Sequence, residues 1–489
     1  MSCARACGFF PAILNIDVHR VHLGLSAKRV KTVSPARRKK CKPGRRPLMA
    51  RDNKYGSAFA LITVLFFLWG FITVLVDSLI PRLRDVFELS YFQSGLVQFA
   101  FFIAYALLSI PAGFILSRIG YQRGIVWGLG TMAAGCLLFY PAAEFRVFPV
   151  FLFGYFTLAG GMTILQVAAN PFVSVLGSES GASGRLNLAQ AFNSLGTAIA
   201  PVVGAMFLLS DRIAGSEEIS AMGAEARKGY LYAEAAAVQQ PFLILAGAVA
   251  LLAVVFALVR LPQILQKAPR DGYGRLLRNP VVRGGVFGIF LYVGAEVAIG
   301  SYLVNYFLDM GLPAKILSNP TLNAASGFLL NGDPADRAPK AVAGAFVTLY
   351  WTGAMFGRFA GAYLTRIFRP GRVLATFAAL ALTMVAVSMG SHGFTAMFSI
   401  LAVGLFNSIM FPTIFGLTLQ GLGDLKPQAS GLLCTAIAGG AVIPATYGYL
   451  TDLCGFKSAF FLLLFCYAYV VYFGWKRGQQ AVEPVSGAH

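Results

Sequence analysis

Asp77, in the run FFLWGFITVLVDSLIP, and Glu296, in LYVGAEVAIG, are acids set among apolar residues. An ionisable group in hydrocarbon is expensive, so such a residue by default faces a water-filled route where taking up or releasing a proton is useful. The chemistry to expect is proton carriage. Thr163, Gln166 and Asn170 recur at helical spacing, as do Asn187, Gln190 and Asn193, so each trio lies on one face of a helix. Amides that line a cavity both donate and accept, which suits the hydroxyls of a sugar; in a bundle the same residues would also serve helix-to-helix hydrogen bonds. Tyr292 shares a face with Glu296, four positions on, whereas Asn305 falls on the opposite side of an unbroken helix and reaches the same cavity only if the helix breaks near Gly300. Asn407 is a weaker polar candidate in a later apolar run.

The elements that hold these residues are membrane spans. Of 489 residues, 57% are hydrophobic, 12% are charged and 53 are glycine, too apolar a chain for one soluble domain. Stretches of about twenty apolar residues occur twelve times, at 58–82, 91–116, 123–143, 147–170, 188–210, 240–261, 283–308, 341–364, 371–390, 394–419, 429–451 and 456–475. Lys and Arg are retained on the cytoplasmic side. Arg118 and Arg123 after the second span, Arg366, Arg369 and Arg372 after the eighth, and the basic central connection therefore lie inside, whereas the more acidic segment 211–239 lies outside. Both termini are then cytoplasmic, and the net charge of +20 reflects this asymmetry and a basic N-terminus, not nucleic-acid binding.

Residues 1–50 form a basic arm of twelve Lys or Arg against one acid, Asp17, with no apolar core for a signal peptide. We expect it to be disordered or to precede a true start at Met49. The first six-helix half then runs over 51–262, a cytoplasmic linker over 263–282, the second half over 283–476 and a short tail over 477–489. The seven cysteines lack zinc-ligand spacing, so neither a metal site nor a disulfide is expected.

The chain also repeats itself. Gly113-Phe-Ile-Leu-Ser117-Arg118-Ile119 follows the second span and Gly361-Ala-Tyr-Leu-Thr365-Arg366-Ile367 the eighth; Gly196-Thr-Ala-Ile-Ala-Pro201 in the fifth is matched by Gly439-Gly-Ala-Val-Ile-Pro444 in the eleventh. Paired signatures six helices apart predict a duplicated transporter with a central cavity. With these strings the chain resembles the major facilitator superfamily. The long segments Phe67-Leu-Trp69-Gly-Phe-Ile-Thr-Val-Leu75, Leu165-Gln166-Val-Ala-Ala-Asn170-Pro171-Phe172, Arg185-Leu-Asn187-Leu-Ala-Gln190-Ala-Phe-Asn193-Ser194, Tyr292-Val-Gly-Ala-Glu296-Val and Asn407-Ser-Ile-Met-Phe-Pro412-Thr-Ile-Phe415 are similar to its sugar-symporter branch, which contains L-fucose:proton symporters and glucose/galactose transporters.

The resemblance implies an all-α membrane protein of twelve transmembrane helices in two six-helix halves, a monomer in the bacterial inner membrane, that imports a neutral hexose by proton symport. It ties proton coupling to Asp77, with Glu296 as second candidate, and sugar binding to Gln190 and Asn193, with Gln166, Asn170, Tyr292 and Asn407 as further candidates. Where the fucose symporter carries a glutamate in the fourth span this chain has Gln166, as glucose/galactose relatives do, which leaves Asp77 the one mid-membrane acid of the first half. The loop acid usual after the second and eighth spans is replaced by Ser117 and Thr365, so the gating pair it joins is altered; Arg118 and Arg366 are gating candidates, and Arg358, toward the cytoplasmic end of the eighth span, reads as a gate or anchor. Trp69, Phe71 and Trp351 are aromatics that would stack on a pyranose or pack against lipid.

No phosphate-cradling glycine loop, zinc triad or histidine-based triad is present, so neither an enzyme nor an ATP-driven pump is expected and no cofactor is implied. The partners are a small sugar, a proton and membrane lipid. The alternatives are a facilitator, a symporter for fucose or an amino sugar, or a sugar receptor that kept the fold, for which residues 476–489 are too short to supply a signalling domain.

Overall fold

A computed structural model describes residues 49–86, 91–145, 147–207, 222–259, 261–262, 272–330 and 332–479. The basic arm and the tail beyond 479 lie outside the described residues. The described residues contain helices and no strand: α1 (Met49–Val86), α2 (Tyr91–Ile119), α3 (Tyr121–Phe145), α4 (Phe148–Val175), α5 (Ala182–Phe207), α6 (Ala224–Leu258), α7 (Gly272–Arg278), α8 (Pro280–Asp309), α9 (Leu312–Ser318), α10 (Pro320–Leu330), α11 (Pro339–Ile367), α12 (Pro370–Gly390), α13 (Gly393–Asn407), α14 (Met410–Leu419), α15 (Lys426–Thr435) and α16 (Gly439–Gln479).

Nine stretches among the described residues are long and apolar enough to cross a membrane. One of them, Gly423–Gln479, holds two passages, because Gly455 takes φ 79° and breaks α16 where a residue with a Cβ would be strained. α5, of 26 residues, and α11, of 29, are more polar but also exceed the bilayer core at about 1.5 Å per residue, which accounts for twelve passages. α13 and α14 together make the tenth and α15 with the first part of α16 the eleventh.

Local sequence sets the ends. At the start of α8 the Asn279 side chain accepts from the backbone N–H groups of Val281 and Val282 and Pro280 occupies the first turn, so two orphan donors are satisfied and no third is needed. α11 and α12 also start on a proline.

Within each half the helices pack in matching pairs: α1 on α5 and α2 on α4, then α8 on α16 and α11 on α13. The duplicated glycine signature has a steric cause. A methyl group on Gly196 would collide with the Phe67 carbonyl of α1, and one on Gly439 with the Phe290 carbonyl of α8, so the same close crossing is built twice. Large apolar side chains such as Trp127, Phe153, Ile244, Leu251, Phe461 and Phe465 stand exposed on the outside, as a lipid-facing surface requires. Polar amides are instead turned inward: Gln166, Asn170, Asn187, Gln190 and Asn407 are all buried.

Candidate functional site: a polar cavity between the two halves

A cavity of about 250 Å³ lies where the halves meet. At roughly 30 Å³ per water it has room for about eight water molecules, hence for one small solute. The first half contributes Trp69 from α1, Phe101, Phe102 and Tyr105 from α2, Gln166 from α4, and Gln190 and Asn193 from α5. The second half contributes Tyr292 and Glu296 from α8, Arg358 from α11, and Phe411 and Pro412 from α14.

The two walls differ in chemistry. On the first-half wall the amides are held by fixed partners. Asn193 Nδ2 donates to the Phe66 carbonyl at 2.9 Å, Tyr105 donates its hydroxyl to Gln166 Oε1 at 2.8 Å, and Gln190 Nε2 reaches Asn170 Oδ1 at 3.5 Å. Each leaves further hydrogen-bonding capacity, and Asn170 Nδ2 has no partner among the described residues. Asn187, by contrast, is spent on structure: it donates to Ser183 O at 2.9 Å and to Thr413 Oγ1 of the other half at 3.1 Å.

On the second-half wall stands charge. Glu296 lies within the electrostatic reach of Arg358 and beside Tyr292. Glu296 Oε1 and the Tyr292 hydroxyl are both buried and interact with each other, with hydrogen-bonding capacity left over for a solute or water.

Arg358 does more than the anchoring expected of it. Its Nε donates to the Ser408 carbonyl at 3.2 Å, and its Nη1 donates to Ser194 Oγ on the other half. The Ser408 carbonyl is available for a definite reason: its helical partner four residues on is Pro412, which has no N–H. The break between α13 and α14 thus creates an acceptor for the guanidinium, and that guanidinium bridges the halves beside the sugar-binding candidate Asn193.

The other candidates lie elsewhere. Asn407 is buried behind the cavity and donates to the Tyr350 hydroxyl at 2.8 Å. Asn305 does not meet Glu296: α8 runs unbroken through Gly300, and Asn305 lines a separate pocket of about 540 Å³ with Tyr302, Asp309 and Asp452. Arg118 is exposed with its guanidinium 4.1 Å from the centre of the Phe114 ring, and Arg366 packs over Gly184 of α5. Trp351 is half exposed and packs edge-on against Tyr350, outside the cavity, whereas Trp69 is in its wall. Asp77 belongs to α1, but its side chain is outside the described residues. No group of three His, Cys, Asp or Glu suited to a metal ion occurs among the described residues.

Beyond the cavity, toward the end of the bundle that bears Arg118 and Arg366, the halves are in contact. Lys426 of α15 forms a 2.6 Å ion pair with Glu179, Ser430 Oγ donates to the Val167 carbonyl at 2.9 Å, and Tyr273 of α7 donates to the Ile110 carbonyl at 2.6 Å. Phe192 and Phe359 meet edge to face with centroids 5.9 Å apart. Sequence reading missed Tyr105, Ser194, Ser430, Tyr273 and the Lys426–Glu179 pair. The one legible signal was a tyrosine inside the apolar run FFIAYALLS, whose hydroxyl had to find a partner.

Two like halves of apolar-surfaced helices with a polar cavity between them define a membrane transporter. The chain belongs to the major facilitator superfamily, whose model matches residues 58–444. The glucose/galactose transporter of Brucella abortus biovar 1 (strain 9-941) is 45% identical over 428 residues, which span 86% of this chain and 94% of that protein. The L-fucose-proton symporter of Escherichia coli K12 is 34% identical over 447 residues, covering 88% and 96%. The crystal structure of the transporter FucP in the outward conformation aligns with a TM-score of 0.78 at 33% identity, over 87% of this chain and all of that one.

Proposed function

We propose that this protein imports a neutral hexose of the glucose/galactose type by proton symport, the two halves rocking about the central cavity. The observation that carries the reading is the division of that cavity into an amide wall, Gln166, Gln190 and Asn193, and a facing wall with Glu296 and Arg358. Uncharged donors and acceptors with aromatic neighbours recognise hydroxyls and apolar ring faces without requiring a charge on the solute. The names of the relatives, glucose/galactose transporter and L-fucose-proton symporter, support the same substrate class and the same driving ion.

Binding falls to Gln190, Asn193 and Gln166, with Trp69 as the stacking surface. Asp77 carries the coupling proton, and Glu296 is the second site through which a proton passes or a hydroxyl is held. The halves correspond to 51–262 and 283–476, joined by 263–282. The end that bears Arg118 and Arg366 faces the cytoplasm of a bacterial inner membrane, both termini with it, and the protein works as a monomer. With that end closed by Lys426–Glu179 and Ser430–Val167, the arrangement corresponds to an outward-facing state, the one in which sugar and proton load from outside.

The deciding experiment is uptake of labelled D-glucose, D-galactose and L-fucose into proteoliposomes under an imposed pH or sodium gradient. Uphill accumulation of a hexose driven by an inwardly directed proton gradient is expected. Equilibration without accumulation would make the protein a facilitator, and no uptake with retained binding would make it a receptor.

A further inference from the structure

We infer that Tyr105 is a positioning residue that sets which hydroxyl of the sugar the transporter inspects, by locking the Gln166 amide with its NH2 group toward the cavity. The inference rests on the proposal that this cavity binds sugar. Tyr105 is buried on α2, and its hydroxyl donates to Gln166 Oε1 on α4 at 2.8 Å; both side chains line the cavity.

A primary amide is ambiguous by nature: rotating it by half a turn exchanges acceptor for donor at nearly the same shape. A free glutamine in a sugar site would therefore accept from one hydroxyl or donate to another with little preference. Gln166 Oε1 is the one hydrogen-bond acceptor that the buried Tyr105 hydroxyl has among the described residues, so a flipped amide would strand the phenolic hydrogen. A phenolic hydroxyl attached to the amide oxygen leaves the NH2 as the outward group, so Gln166 presents a donor.

Asn193 is fixed in the opposite sense by a different device. The Phe66 backbone carbonyl can only accept, so the Asn193 NH2 must turn to it and Oδ1 becomes the group left over. The amide wall thus has a polarity, donor at Gln166 and acceptor at Asn193. Two sugars that differ in the direction of one hydroxyl present that hydroxyl to different members of such a wall. Discrimination then depends on Tyr105, although the phenol need not touch the sugar.

The test is a double-mutant cycle combined with deoxy sugars. Counterflow of labelled D-galactose in proteoliposomes at equal pH is measured for the wild type, Tyr105→Phe, Gln166→Met and the double variant, with competition by D-galactose lacking the hydroxyl at C2, C3, C4 or C6. Tyr105→Phe is expected to raise KM by about two- to tenfold, the effect of one hydrogen bond, with the maximal counterflow rate kept. It should flatten the penalty for one deoxy position, the same one that Gln166→Met flattens.

In the double variant both partners are apolar and of similar shape, so no buried polar atom is stranded and folding is retained. Its KM should equal that of Gln166→Met alone. A further loss on adding Tyr105→Phe to Gln166→Met, or flattening at a different hydroxyl, would overturn the inference, because Tyr105 would then act on the sugar directly or only on folding. If Tyr105→Phe alone does not reach the membrane, the comparison of double and Gln166→Met variants still decides. An unchanged KM and deoxy pattern in Gln166→Met would instead remove the cavity reading itself.

Discussion

Lys426 and Glu179 join the two halves through a 2.6 Å ion pair, with Glu179 more than a third exposed and Lys426 nearly buried. The pair lies at the end of the bundle that bears Ser117 and Thr365, and charge attraction between the halves runs there from the turn before α5 to the start of α15. A partly exposed pair contributes about 0.2–1 kcal/mol, enough to shift a two-state equilibrium by up to about fivefold without being needed for folding. Glu179→Gln should populate the inward-open form several-fold more, read by spin-label distances between α2 and α15, while the charge-reversed pair Glu179→Lys with Lys426→Glu should restore the wild-type distances. Unaltered distances in Glu179→Gln would make the pair incidental.

The same closure has a steric component. Gly431 lies against α2 so closely that a Cβ there would stand 2.7 Å from the Ser109 carbonyl and 3.1 Å from the Tyr273 hydroxyl. A backbone carbonyl has little freedom to retreat inside a helix. Gly431→Val is expected to prevent closure, lowering counterflow by about five- to 150-fold at normal membrane levels, since the cost of overpacking is about 1–3 kcal/mol. A cysteine placed at Ser109, buried in the closed form, should become reactive from that side in the Gly431→Val background. Continued protection would show that the halves still close.

Apolar runs and the doubled Gly113/Gly361 and Gly196/Gly439 signatures made the fold legible, because membrane insertion and helix crossing are decided by local composition. The site was legible where a helical spacing of amides carried it: Gln166, Gln190 and Asn193 meet in one cavity, as does Glu296 with Tyr292. The periodicity argument also separated Asn305 from Glu296, since an unbroken α8 holds them apart. What single-helix spacing does not encode is contact between helices. Arg358 reads as an anchor from its height in the span, yet its long side chain reaches the cavity and takes up a carbonyl that Pro412 frees two helices away. Asn187 and Gln190 look alike on α5, and only the presence of Thr413 opposite the first tells structure from site.

Arg358 and Glu296 share the second-half wall of the cavity. Arg358→Gln removes the guanidinium, so the Ser408 carbonyl and Ser194 hydroxyl lose a donor. A buried polar group left unsatisfied costs about 1–3 kcal/mol, so the variant should melt several degrees lower in detergent. Glu296→Gln added to it should recover part of the loss if the two side chains act on one another. Additive destabilisation by the two changes would mean that they do not interact.

Gln190 and Asn193 test recognition. Either residue changed to Ala should leave folded protein in the membrane and weaken D-galactose binding by about two- to tenfold, corresponding to about 0.5–1.5 kcal/mol for one amide–hydroxyl bond. Asn193→Ala should also loosen the α1–α5 contact, since the Phe66 carbonyl loses its side-chain donor, so its melting temperature is expected to fall more than that of Gln190→Ala. Binding isotherms on purified protein separate the two effects. Unchanged affinity in both variants would confine these amides to helix packing.

Coupling is decided by Asp77 and Glu296 together. If Asp77 carries the proton, Asp77→Asn keeps shape and hydrogen-bonding capacity but cannot change charge. Sugar counterflow, which needs no net proton movement, should then survive while proton-driven accumulation falls to the level of equilibration. Glu296 lines the cavity beside Tyr292; if it holds a sugar hydroxyl, Glu296→Gln should weaken sugar binding and reduce accumulation only in proportion. The comparison needs both assays on both variants, at equal pH for counterflow and with an inwardly directed proton gradient for accumulation. Full accumulation by Asp77→Asn would remove it as the carrier, and loss of accumulation with intact binding in Glu296→Gln would transfer the role to the second half.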